Sequence, residues 1–148
     1  MKKILMMALI ALATGTSAFA APRTISNKVT EHFSASFKNA KNVTWKSNDR
    51  FDKVSFMLAG EQVDAFYDVE GDLIGTSKTI GFEKLPKSAL ELITTKYTFP
   101  EHQLKDCIEF TSSNNEKNYY VSFEKKNETL VLEITKAGVV SVFARNKK

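Results

Sequence analysis

The chain has 148 residues, 43% of them hydrophobic, and a formal charge of +4. Its lysines are scattered among acids, which describes a solvated surface and not a nucleic-acid groove. One cysteine, Cys107, rules out a disulfide within the chain, so stability must come from packing.

The first twenty residues read as a secretory leader. Lys2 and Lys3 give a short positive start, Ile4 to Ala13 form an apolar run, and Ala18-Phe19-Ala20 supplies the small-x-small pattern read by signal peptidase. The run is about ten residues, half of the roughly 20 that a bilayer-spanning helix needs. Residues 1–20 are therefore expected to be cleaved, placing the protein in the periplasm or outside the cell. No later stretch reads as a membrane span.

An amphipathic helix is expected after Ser26, with Val29, Phe33 and Phe37 on one face and Ser26 as its N-cap. Alternating strands follow around Val43/Trp45, Val54/Phe56/Leu58, Val63/Ala65/Tyr67/Val69 and Leu73-Ile74. A second helix is expected after Leu85-Pro86, with Ala89, Ile93 and Tyr97 at the same spacing, ending before Pro100. Four more strands follow: Ile108/Phe110, Tyr119/Val121/Phe123, Leu130/Leu132/Ile134 and Val139 to Phe143.

These elements suggest an internal repeat. The helix positions recur 60 residues on, and Val43, Trp45, Val54, Phe56, Tyr67 and Val69 recur 65 residues on as Ile108, Phe110, Tyr119, Val121, Leu132 and Ile134. The expected fold is α+β, built from two tandem helix-plus-four-strand antiparallel repeats with the helices on one face of the sheet. The first repeat would cover 21–82 and the second, degenerate one 83–148.

Phe66-Tyr67-Asp68-Val69-Glu70-Gly71-Asp72-Leu73 crowds three acids around a glycine. Its equivalent, Leu132 to Val140, keeps the glycine as Gly138 but has Lys136 and Ala137 where a metal loop wants oxygen ligands. The acids also miss the spacing of a calcium-binding helix-loop-helix. Both segments therefore read as hairpin turns that need glycine at positive φ.

The helix carrying "VTEHFSASF", then "AKNVTW", then "FYDVEGDLI" resembles the secreted PepSY-like family of Bacteroidetes-type bacteria, also described as β-lactamase-inhibitor-protein-like. The resemblance runs over nearly the whole chain beyond the leader. The second copy lacks the tryptophan and has Phe110 in its place. The resemblance implies an exported protein with helices packed on one face of an antiparallel sheet, a binding or inhibitory role toward another protein, and no catalysis. It brings no catalytic residue to carry over.

The residues themselves point the same way. No nucleophile elbow, phosphate loop, dinucleotide fingerprint or Cys-x-x-Cys is present, so no catalytic residue, cofactor or metal is expected. His32 and His102 lie apart and read as surface histidines. Cys107 is placed with Lys105 and Glu109 on the side of its strand away from the helix, either as a protected or weakly exposed strand cysteine or as one that pairs between chains. Asn42-Val43-Thr44 and Asn127-Glu128-Thr129 match a glycosylation pattern, a coincidence behind a bacterial-type leader.

By strand parity the face turned from the helices carries Met57, Phe66, Tyr120 and Val131, with Lys53, Asp64, Asp68, Ser122 and Glu133 among them. Aromatics rimmed by charges suit docking of an envelope protein or peptide. The same residues could instead pack under a neighbouring loop or in a homodimer. The sequence leaves the partner and the oligomeric state open. The competing functional expectation is a small-molecule or metal-ion sensor of the envelope.

Overall fold

The computed structural model describes residues 24–147, so the expected leader lies outside the described residues. Eight strands dominate: β1 (Lys41–Ser47), β2 (Phe51–Leu58), β3 (Glu61–Asp68), β4 (Leu73–Thr79), β5 (Gln103–Ser112), β6 (Lys117–Lys125), β7 (Glu128–Thr135) and β8 (Val140–Lys147). Two α-helices of ten residues each, α1 (Asn27–Ser36) and α2 (Lys87–Lys96), accompany them, with a 3₁₀ turn at Phe82–Lys84. None of the helices among the described residues is long and apolar enough to cross a membrane.

The strands form an eight-stranded sheet whose order is the chain order, β1 to β8. This corrects the expected fold class. Among the described residues the chain is mostly β, with one antiparallel sheet and two short α-helices, and is not a pair of helix-plus-four-strand repeats. Contacts divide the chain into residues 1–77 and 78–148, and each unit is described in turn.

In the first unit Ser26 caps α1, its hydroxyl accepting from the Val29 amide at 3.4 Å. Val29 and Phe33 are buried, and Phe37 closes the helix as its C-cap. They pack against Val54, Phe56, Ala65 and Tyr67, alternate residues of β2 and β3 paired in register. The Phe33 ring lies 5.0–5.3 Å from Phe37, Trp45 and Phe56, an aromatic nest that fixes the helix on the strands.

In the second unit Pro86 takes the N-cap position of α2, and Ala89 and Ile93 are its buried residues. They pack with Leu85, Val121, Phe123, Leu130, Leu132 and Ile134, again alternate residues of paired strands. Cys107 belongs to this core as well, opposite Val121 on β6.

That position corrects the parity expected for β5. Ile108 pairs with Tyr120 and Phe110 with Asn118, so these two face away from α2, while Cys107 and Glu109 take the helix side opposite Val121 and Tyr119. Phe110 therefore does not occupy the place of Trp45. Both faces of β5 are apolar and buried near its middle, so hydrophobicity does not label its faces. A register shift between Leu104 and Asp106 breaks the alternation further.

The acidic segment is a hairpin turn. Asp68 and Asp72 exchange backbone bonds at 3.0 and 2.8 Å, the second to the Asp68 carboxylate, and Gly71 sits at φ 85°. The β7–β8 turn has the same construction. Thr135 replaces Asp68, its hydroxyl accepting from the Val139 amide at 3.2 Å, and Gly138 sits at φ 85°. Each glycine lies against the start of a helix: Gly71 against Ser26, Lys28 and Val29, Gly138 against Pro86 and Ser88.

Candidate binding surfaces

Strand pairing puts Met57 and Phe66 in the first unit, and Tyr120 and Val131 in the second, on the side of their strands away from that unit's helix. Phe66 pairs with Lys53 across β2–β3, out of step with the Val54–Ala65 pair that meets α1. Tyr120 pairs with Glu133 and Val131 with Ser122, out of step with the helix-side pair Val121–Leu132. An exposed patch, however, does not exist there. Phe66, Tyr120 and Val131 are each 2% exposed, and only Met57 is half-buried.

Polar groups on this face are engaged by their neighbours. The Lys53 ammonium meets the Asp64 carboxylate at 2.6 Å and sits 5.8 Å from the centre of the Phe66 ring. Glu133 Oε1 accepts from the Tyr120 hydroxyl at 2.8 Å and from the Asn118 amide at 3.2 Å. Burial, reinforced by Glu133, holds the Tyr120 phenol neutral far above its ordinary range. Phe51 covers Phe66 edge-on, and Phe143 covers Tyr120.

Cys107 is 4% exposed, and burial with help from nearby Glu83 pushes its thiol up to about 12. A thiolate nucleophile is thereby disfavoured. His32 is on the exposed side of α1 but is not idle, since its Nδ1 and the Tyr67 hydroxyl share a hydrogen bond of 3.1 Å. At the acidic turn Asp72 pairs with Lys28 at 2.7 Å, and Lys28 also donates to the Glu70 carbonyl. Among the described residues no group of three or more His, Cys, Asp or Glu side chains is placed to hold a metal ion.

One concave feature was not anticipated. A cleft of about 450 Å³ opens in the second unit where α2 ends and β5 begins. It is lined by Ile93 and Thr94 of α2 with the C-cap Tyr97, by Gln103 and Leu104 of β5, by Phe123 of β6, by Phe82 of the 3₁₀ turn, and by Phe99 and His102 from the loop before β5. Phe123 and Tyr97 stack with centroids 5.8 Å apart, and the His102 ring stands edge-on to both. Phe99 is 78% exposed and Leu104 49% exposed at the rim. The aromatic run Tyr97-Thr98-Phe99-Pro100-Glu101-His102 was the available signal. It spans a helix end and a loop, where no periodicity marks which rings converge.

The chain matches no family model and no curated protein. Solved structures do resemble it. A DUF2874 family protein from Bacteroides uniformis superposes with a TM-score of 0.69 at 9% identity, over 84% of this chain and 90% of that one. A BLIP-like protein from Bacteroides fragilis gives 0.66 at 13% identity, over 88% and 89%. A Bacteroides eggerthii protein, described only provisionally as periplasmic, gives 0.69 at 8% identity, over 84% and 90%. The likeness establishes a shared fold.

Proposed function

We propose that the protein is an exported, non-enzymatic binding module of the cell envelope, PepSY-like in lineage, that docks another protein. The observation that carries this reading is the fold shared with a BLIP-like protein along nearly the whole length of both chains. A provisional periplasmic description of a second neighbour and the leader-like residues 1–20 support export. The buried and neutral state of Cys107 supports a non-catalytic role, because the chain's single thiol is withheld from solvent.

The docking surface cannot rest on Phe66, Tyr120 or Val131 in this conformation, since a partner does not reach side chains 2% exposed. Contact falls to surface residues, of which Met57 is the accessible member of the expected set. The test is affinity capture of a tagged chain from its own periplasm after in-cell crosslinking, followed by mass spectrometry. One envelope protein recovered in near-equal amount, and diminished by Met57→Asp, is expected. A chain that stays in the cytoplasmic fraction, or recovers only background, overturns the proposal.

A further inference from the structure

Strand β8 ends the sheet, and among the described residues β7 is its only strand neighbour. The turn before β8 shows which backbone groups face the free side. The Thr135 amide donates to the Val139 carbonyl at 3.0 Å, so this pair closes the hairpin with a bond. Antiparallel pairs alternate between bonded and non-bonded, so Val140 opposite Ile134 and Val142 opposite Leu132 are non-bonded pairs. The N–H and C=O of Val140 and Val142 therefore point away from β7. The side chains add a second pattern. Val140 and Val142 lie opposite helix-side residues of β7, and past the register shift Arg145 opposite Leu130 and Lys147 opposite Glu128 keep that parity. The helix side of this edge thus reads apolar, apolar, cationic, cationic. Ser88 of α2 lies against Gly138 of the turn, and Leu92 sits one helical turn further along the same side of α2. Leu92, Val139 and Val142 are 44–63% exposed. Strand β8 contains no acid, and the turn before it adds Lys136. Glu128 pairs with Arg145 at 3.3 Å in an exposed contact, and Glu91 of α2 is outnumbered on that helix by Lys87 and Lys96.

We propose that the free edge of β8 takes up an extended, acidic segment of the partner protein as an added strand, its backbone pairing with Val140 and Val142. Outward-facing ladder groups call for a strand: main-chain bonds supply affinity, and alternate side chains supply specificity. Here apolar side chains of the segment meet Val142 and Leu92, and its carboxylates meet Arg145 and Lys147. Charge also decides against a second copy of this chain. Two β8 edges paired antiparallel bring Arg145 and Lys147 of each toward the turn bearing Lys136 of the other, which sets like charges together. Lysines and a bulge guard an edge against its own kind, and they leave an acidic strand admitted. This inference names a contact for the docking proposed above and rests on that reading.

The test is amide NMR of the purified protein, expressed from the full sequence, during titration with the peptide Glu-Thr-Glu-Thr-Val-Thr-Val. Paired antiparallel, its glutamates face Lys147 and Arg145, and its valines face Val142 and Val140. Saturable shifts at Leu92, Val140 and Val142 are expected, with slowed hydrogen exchange of the Val140 and Val142 amides. Lysine in place of both glutamates should weaken binding about tenfold. N-methylation of both valines keeps every side chain and removes the donors aimed at β8, so it should abolish saturation. Shifts that stay linear to the solubility limit, that cluster elsewhere, or that are equal for the lysine or the N-methylated peptide would each overturn the proposal. Broadening of these amides with protein concentration alone would do the same, by making a second copy the occupant. Capture of an envelope partner that is undiminished by Arg145→Glu with Lys147→Glu would strike this surface and leave the docking reading standing.

Discussion

Three glycines at φ 85°, Gly60, Gly71 and Gly138, separate two costs that a side chain can meet. All three would strain an L-residue, by about 1 kcal/mol in the left-handed region. Only at Gly60 is the space around a Cβ empty. At Gly71 a Cβ would touch the Lys28 side chain at 3.1 Å, a flexible neighbour that can yield. At Gly138 it would collide with Ser88 Oγ and press on Pro86 at 3.2 Å, at the start of α2. Alanine should therefore destabilise in the order Gly138, Gly71, Gly60, with about 1 kcal/mol at Gly60 and about 2–4 kcal/mol at Gly138. Urea midpoints of the three variants check this. Equal losses at all three would mean that backbone strain alone governs and that the helix ends do not bear on the turns. The need for glycine at these turns was legible from the residues, because "EGD" and "KAG" fall between two apolar strands. The helix resting on each turn was not, since it is a contact between segments far apart in sequence.

At the scale of elements, the helices are short and held by a few apolar positions. Helix α2 buries only Ala89 and Ile93, and α1 only Val29 and Phe33. Ten-residue helices are marginal alone in water, so these contacts decide whether they form. Ile93→Ala should cost about 2–5 kcal/mol by loss of transfer energy and a residual cavity. Exposed Leu92→Ala should cost under about 0.5 kcal/mol, although it is the adjacent residue. Circular dichroism and urea unfolding of the pair measure the contrast, and similar losses would mean that α2 does not dock through Ile93. The helix stripes were legible because one buried face gives a clean period, and β2, β3, β6 and β7 because their helix-side residues are apolar at every second position, although β3, β6 and β7 bury both faces near their middle. Strand β5 was misread because its two faces are both buried, at Cys107 on one side and Phe110 on the other, while Glu109 breaks the apolar alternation on the helix side. The sheet's other face misled in the same way. Parity places Phe66, Tyr120 and Val131 correctly, but their burial depends on what lies over them, which local pattern does not encode.

At the scale of the whole molecule, buried acids of weak strength make folding sensitive to alkaline pH. Burial pushes the Cys107 thiol from 9.0 up to about 12 and the Tyr67 phenol from 10.0 up to about 12, and it also raises the Tyr120 phenol. Near pH 7 all three are protonated in the folded and unfolded chain alike, so they leave stability independent of pH. Above pH 9 the unfolded chain gives up the Cys107 proton that the folded chain retains, and above pH 10 it gives up those of the tyrosines. The unfolded state then binds fewer protons, and stability falls as pH rises, by at most about 1.4 kcal/mol per pH unit for each group. The urea midpoint should be level from pH 7 to 8.5 and decline from about pH 9, before the tyrosines contribute. Cys107→Ala lowers the midpoint at every pH but should flatten the decline between pH 9 and 10, since it removes the first proton lost. The same measurement tests thiol burial by a separate route: a disulfide-exchange reagent at pH 8 should leave the folded chain unmodified and label it once urea is added. A midpoint that holds to pH 10, or a thiol that reacts at once without denaturant, would place Cys107 at an accessible surface. A non-catalytic role would then no longer draw support from a thiol withheld from solvent.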